Sequence, residues 1–262
     1  MSAVGLRLGR REVTALVVSI GATHPWNIAG VGLDARVCAQ LGLDHAMAVA
    51  VVTAQNGRGV FASQAVEGAI LRAQFDALPR HANAYRVGAL LTEENVRATA
   101  GFLRGRLPVP CVVDPVFLAS TGEVLAQAGA VVAIRDELAA MPVILTPNLA
   151  EASRLLGRRV ERDSMVEAAR ALQRRGPVAV LLKGGHLHGS PTDVLATAQG
   201  VEAFESPRLA KDMRGTGCVL AAALACELAN GVPLREAVAR ARAYVAEKIA
   251  AARDMDGMQV AF

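Results

Sequence analysis

Short apolar runs rich in Val, Ile and Leu recur near residues 14 to 20, 45 to 53, 84 to 88, 110 to 114, 143 to 146 and 178 to 183. Between them lie stretches of helical periodicity near 29 to 41, 64 to 77, 92 to 105, 122 to 139 and 162 to 174, and two more follow near 216 to 230 and 233 to 252. Runs without a polar alternate suit strands covered on both faces. Strand and helix in alternation predict right-handed βαβ crossovers, hence a three-layer α/β/α fold with a mostly parallel central sheet and helices on both faces. No low-complexity linker or solenoid-length repeat intervenes, so the 262 residues are expected to form one domain, with residues 1 to 12 as a flexible extension. Ligands of such sheets bind beyond the carboxyl ends of the strands, which makes the polar residues after each apolar run the first site candidates.

Composition narrows this picture. An apolar fraction of 53% with only 3% aromatics fits helices packed on a parallel sheet. The longest apolar runs, 14 to 20 and 45 to 53, fall short of the roughly 20 residues a membrane span needs, and Arg7, Arg10 and Arg11 precede a run that leads straight into Gly21 without a cleavage region. A cytoplasmic protein is expected. The net charge of +4 comes from dispersed Lys and Arg with few aromatics, which argues against nucleic acid and for some attraction of anionic substrates. Cys38, Cys111, Cys218 and Cys226 make neither a CxxC pair nor a disulfide framework, so a reducing compartment is expected and structural zinc is not.

Four clusters carry candidate chemistry. Arg214-Gly215-Thr216-Gly217-Cys218 opens the helical run from Val219; its glycines admit close backbone approach, and the helix start offers free N–H groups and partial positive charge to a phosphoryl group. Cys218 falls in the first turn, where that field favours the thiolate and lets it accept a hydroxyl proton. The same string reads equally as a plain glycine helix start with a structural cysteine. Thr146-Pro147-Asn148-Leu149-Ala150-Glu151 follows an apolar run; Asn148 and Glu151 have capping-box spacing, and their amide and carboxylate also suit hydrated Mg²⁺ beside ATP phosphates. Lys183-Gly184-Gly185-His186 ends another run, placing a cation to meet phosphate or merely turning the chain. Asp114, before Pro115 and Val116, is a carboxylate for Mg²⁺ or a cation, or a turn former.

Taken in order, these clusters resemble the ribokinase-like kinases, and their wording is closest to the hydroxymethylpyrimidine (phosphate) kinases of thiamine biosynthesis. The strings T-P-N-x-x-E, K-G-G-H and G-T-G-C of that family appear at 146 to 151, 183 to 186 and 215 to 218. Ala54-Gln55-Asn56-Gly57-Arg58-Gly59-Val60 resembles A-Q-N-T-R-G-V, whose glutamine recognises the pyrimidine ring; an amide both donates to and accepts from a ring nitrogen and amino group.

The resemblance implies ATP-dependent phosphorylation of an aminopyrimidine alcohol, its monophosphate, or both, by a cytoplasmic Mg²⁺-dependent homodimer with a ribokinase-like fold. It assigns catalysis to Cys218, Gly215, Gly217 and Lys183, and ATP binding to Asn148, Lys183, Thr216 and Asp193. Substrate would meet Gln55, Gly21, Asp34, Val116 and Arg214, with Asp114 and Glu151 at the metal. The wider superfamily uses an aspartate base in G-x-G-D, so the cysteine at 218 points to the pyrimidine branch.

Departures concentrate in the first glycine motif. Where relatives read T-D-P-S-G-G-A-G-I-Q-A-D, this chain has His24, Trp26, Asn27 and Ile28 before Asp34, and Arg214 stands in place of a histidine. Side chains where glycine is usual narrow a pocket, and arginine gives permanent charge at an anion site. A kinase for another hydroxymethyl ring such as pyridoxal, and a non-catalytic pyrimidine-phosphate sensor, are the alternative expectations.

Overall fold

The computed structural model describes residues 14 to 185, 192 to 205 and 213 to 262. The expected extension at residues 1 to 12 and His186 lie outside the described residues. A nine-stranded sheet runs in the order β3-β2-β1-β4-β5-β6-β7-β8-β9. Its middle is parallel, formed by β1 (Leu16–Ala22), β2 (Asp44–Asn56), β4 (Ala84–Val87), β5 (Cys111–Val113), β6 (Ile144–Leu145) and β7 (Ala179–Leu182). Antiparallel strands flank it: β3 (Gly59–Ala65) on β2, then β8 (Thr192–Thr197) and β9 (Gly200–Glu205) beyond β7.

Successive side chains of a strand point to opposite faces, and here they build two cores. Val18, Ile20, Tyr85, Val87, Val113, Leu145, Val180 and Leu182 face the layer of α2 (Gly68–Ala77), α3 (Glu93–Arg104), α4 (Ala128–Ala133), α5 (Leu149–Leu156) and α6 (Met165–Gln173). Val17, Ala84, Val112, Ile144, Ala179 and Leu181 face α1 (Gly30–Gln40), α7 (Thr216–Ala229) and α8 (Leu234–Ala250). The Ala-rich α7 is buried nearly all round between sheet and helices, which is why its sequence shows no polar stripe. A small hairpin, β10 (Arg253–Met255) and β11 (Met258–Val260), closes the described chain.

The parallel strands and most helices fall where the sequence pattern places them. The helix expected over 64 to 77 is shorter, because residues 59 to 65 are drawn into β3 by pairing with β2, and the helix expected from 122 begins at Ala128. No described helix is long and apolar enough to cross a membrane.

Candidate active site

Ladder hydrogen bonds carry past the strand ends and set out the polar residues side by side. Asp114 N–H donates to Val87 O at 2.9 Å, Thr146 N–H to Val113 O at 2.9 Å, and Lys183 N–H to Pro147 O at 2.8 Å. Asp114, Thr146 and Lys183 thereby line adjacent exits at the carboxyl edge. Lys183 Nζ donates to Asp114 Oδ1 at 2.7 Å, and the Thr146 hydroxyl donates to the same oxygen at 3.3 Å. Asn148 and Glu151 form a reciprocal capping box at the start of α5: Glu151 N–H donates to Asn148 Oδ1 at 2.9 Å, and Asn148 N–H to Glu151 Oε2 at 2.7 Å.

Above this pair sits the start of α7. Gly215 has φ of +79°, and a Cβ there would meet Ile28 O at 2.3 Å, so only glycine fits. No side chain caps the helix, which leaves its first N–H groups for another acceptor. A Cβ on Gly217 would lie 3.3 Å from Lys183 Nζ; its absence lets the ammonium press against the helix start. Thr216 and Cys218 are half-buried in the same turn. Fixed N–H groups, an ammonium and two acidic side chains thus converge, as transfer of a phosphoryl group requires.

Burial governs ionisation here. It pushes the Glu151 carboxyl up to about 7, against the pull of Lys183. Asp114 moves below the usual carboxylate range: burial opposes its ionisation, but Lys183 and Arg86 together outweigh burial. The expected shift of Cys218 toward thiolate is corrected, since burial raises its pKa more than neighbouring Arg86 lowers it.

At the other end of the site, Gln55 Nε2 donates to Thr53 Oγ1 at 2.7 Å and to Thr23 O at 3.2 Å, tying the end of β2 to the loop after β1. Gly21 lies beside Gly88, with room for an ordinary 3.5 Å contact at a Cβ. His24 Nδ1 accepts from Trp26 N–H at 3.1 Å, and burial lowers its pKa to about 4, so it is neutral and holds the altered loop. Val116 N–H donates to Asp114 O at 2.9 Å, keeping that loop tight. Arg214 reaches Ser120 Oγ at 2.7 Å, while its N–H donates to Gln259 O of β11 at 2.9 Å.

Two residues lie apart from the cleft surface. Asp34 is wholly buried in α1 against Arg86, and burial raises its carboxyl to about 6 despite that cation. Asp193 accepts from Gly184 N–H at 3.0 Å through Oδ1 and pairs with Arg242 of α8 through Oδ2, so it braces the β7 exit. Arg86 itself, buried in β4 and in contact with both Asp34 and Asp114, escaped the sequence reading. Its only local signal is a charge inside an apolar run.

The sheet order, the helix layers and this carboxyl-edge site define a ribokinase-like kinase fold. The phosphomethylpyrimidine kinase family model matches residues 26 to 260. The chain is 39% identical to a hydroxymethylpyrimidine/phosphomethylpyrimidine kinase of Rhizobium meliloti (strain 1021) over 246 residues, 92% of each chain. It therefore belongs to the phosphomethylpyrimidine kinase family. Among solved structures, phosphomethylpyrimidine kinase from Clostridium difficile 630 aligns with TM-score 0.79 and 27% identity, covering 89% of this chain and 98% of that one. Pyridoxal kinase from Staphylococcus aureus in complex with AMP-PCP aligns with TM-score 0.85 and 26% identity, covering 95% and 93%.

Proposed function

We propose that this chain transfers the γ-phosphoryl group of ATP to the hydroxymethyl oxygen of 4-amino-5-hydroxymethyl-2-methylpyrimidine and to its monophosphate, giving the pyrimidine diphosphate for thiamine biosynthesis. The observation that carries the reading is the Lys183 ammonium, held 2.7 Å from Asp114 Oδ1 against an uncapped helix start at Gly217. Lys183 and the N–H groups of Gly217 and Cys218 receive the transferring phosphoryl group, Asn148 and Thr216 border the nucleotide side, Asp193 braces the β7 exit behind them, and Cys218 orients the acceptor hydroxyl. The oxygen–phosphorus bond to the alcohol forms as the bond to the β-phosphate breaks. In a loose transition state the hydroxyl becomes acidic late, so the protonated thiol positions it by accepting its hydrogen bond, and the hydroxyl proton leaves to solvent as the new oxygen–phosphorus bond completes.

Gln55 reads the ring edge, with Gly21 and Val116 beside it, and Arg214 grips the phosphate of the monophosphate. Among the described residues that guanidinium donates to the neutral Ser120 hydroxyl and has the Glu123 carboxylate as a charged neighbour. The described residues contain no group of three or more His, Cys, Asp or Glu able to hold a metal. Mg²⁺ takes one or two carboxylates and keeps several waters. Glu151, raised to about 7 by burial, is the carboxylate most relieved by a cation, with Asp114 alongside. Bound there with ATP, Mg²⁺ would neutralise phosphate charge. The family resemblance further implies a cytoplasmic homodimer, which sedimentation velocity tests.

Pyridoxal is the second substrate to weigh, because the Staphylococcus aureus pyridoxal kinase aligns at TM-score 0.85. ADP release measured in parallel with the pyrimidine alcohol, its monophosphate and pyridoxal separates the readings. The proposal expects release with both pyrimidines and much less with pyridoxal. Tight pyrimidine binding without ADP from any of the three would replace the kinase with a sensor.

A further inference from the structure

Arg86 heads the fully buried side chains by volume. Tyr85 and Val87 point toward the α2 to α6 layer, so β4 delivers the guanidinium to the opposite face, beneath α1 and α7. There one terminal nitrogen stands 3.3 Å from Asp34 Oδ2 and the other 3.3 Å from Asp114 Oδ2. Nε has no hydrogen-bond partner, and the Asp34 oxygens have none of good geometry, with the Ser19 side chain as their polar neighbour besides Arg86. An ion bridge this deeply buried and this incompletely hydrogen-bonded is poor filling for a core, where an apolar side chain would serve stability better. The chain also makes room for it: a Cβ on Gly88 would lie 2.3 Å from the guanidinium. From α7, the Cys218 thiol faces the same cation.

We propose that Arg86 is a positioning residue for phosphoryl transfer: bridging Asp34 and Asp114 beneath Cys218, it holds the acceptor-side thiol and the phosphate-side Lys183–Asp114 pair in one register. Only the turnover readout of this inference rests on the kinase reading. The charged groups facing the thiol are Arg86 from β4, Asp34 from α1, Asp114 past β5 and Lys183 past β7. Arg86 favours its ionisation, whereas burial and the two carboxylates oppose it.

The test compares intact wild type, Arg86→Met and Arg86→Lys by iodoacetamide alkylation across pH, with Cys218 resolved from Cys38, Cys111 and Cys226 by peptide mass spectrometry. Loss of the cation is expected to slow Cys218 alkylation about tenfold near pH 8 and to move its pH profile upward. In the same variant kcat falls at least about tenfold while KM for ATP stays within about twofold. Lysine restores most of the alkylation rate but not kcat, because one ammonium cannot bridge two carboxylates as a planar fork does. An arginine that merely filled space predicts the reverse: a loosened α7 would speed alkylation of Cys218 and buried Cys226 together. That outcome, or an unchanged Cys218 rate, overturns the proposal. If Arg86→Met does not fold, Arg86→Lys decides alone, and wild-type kcat in that variant overturns it. A wild type without ATP-dependent turnover would remove the kinase reading yet leave the alkylation comparison standing.

Discussion

Replacing Glu151 by Gln isolates the charge that the proposed metal site holds in reserve. Its carboxyl is carried from the ordinary 4.5 to about 7, chiefly by burial. Between those values the folded chain keeps a proton that the unfolded chain has released, so stability falls as pH rises through that window. At 1.36 kcal/mol per tenfold, the ionised form costs the ligand-free fold about 3 kcal/mol by pH 8, and titration together with Lys183 and Asp114 trims the expectation to about 1 to 3 kcal/mol. Glutamine serves equally at the third position of a capping box, so the hydrogen bond from Asn148 N–H survives. Glu151→Gln is therefore expected to be more stable than wild type near pH 8, by about 2 to 6 °C in Tm, and to converge with it near pH 5. The part of the slope due to Asp34, raised to about 6, remains in both proteins. Thermal unfolding followed by circular dichroism from pH 5 to 8, without nucleotide or Mg²⁺, is the assay. Parallel curves, or a lower Tm for the variant at pH 8, would refute the argument that burial of this charge destabilises the fold. Turnover of the variant should collapse while its stability rises.

Three further outcomes follow from the same geometry. Cys218→Ala should lower kcat about a hundredfold with a far smaller loss of ATP affinity by calorimetry, since a group that orients the acceptor hydroxyl contributes to the chemical step. Gly215→Ala should destabilise by at least about 2 kcal/mol in urea and lose activity, because its φ of +79° and a 2.3 Å approach to Ile28 O admit no side chain. Gln55→Ala should raise KM for the pyrimidine about tenfold while leaving KM for ATP unchanged, as one ring-edge hydrogen bond is lost on the substrate side alone.

The parallel core was legible because each of its strands is an apolar run, a pattern that tertiary context rarely overrides. Edge strands were not. Gly59–Ala65 exposes most of its residues and so lacks an apolar signature, and the antiparallel pair Thr192–Thr197 and Gly200–Glu205 follows a strand that already ends the apolar pattern. Motifs announced Lys183, Asn148, Glu151 and Gly215 to Cys218 because their backbone demands are local. The Asp34–Arg86–Asp114 bridge joins three elements far apart in sequence, and nothing in the neighbourhood of Arg86 names its partners. Likewise the surroundings that hold Cys218 as a thiol against the helix field depend on packing that no local string encodes.

A crystal structure with a non-hydrolysable ATP analogue, Mg²⁺ and the pyrimidine alcohol would test the central claim most directly. The account predicts the γ-phosphate within about 3 Å of the first N–H groups of α7 and of Lys183 Nζ, with the hydroxymethyl oxygen beside Cys218 Sγ. A γ-phosphate seated elsewhere, with the Lys183–Asp114 pair facing no ligand, would contradict it.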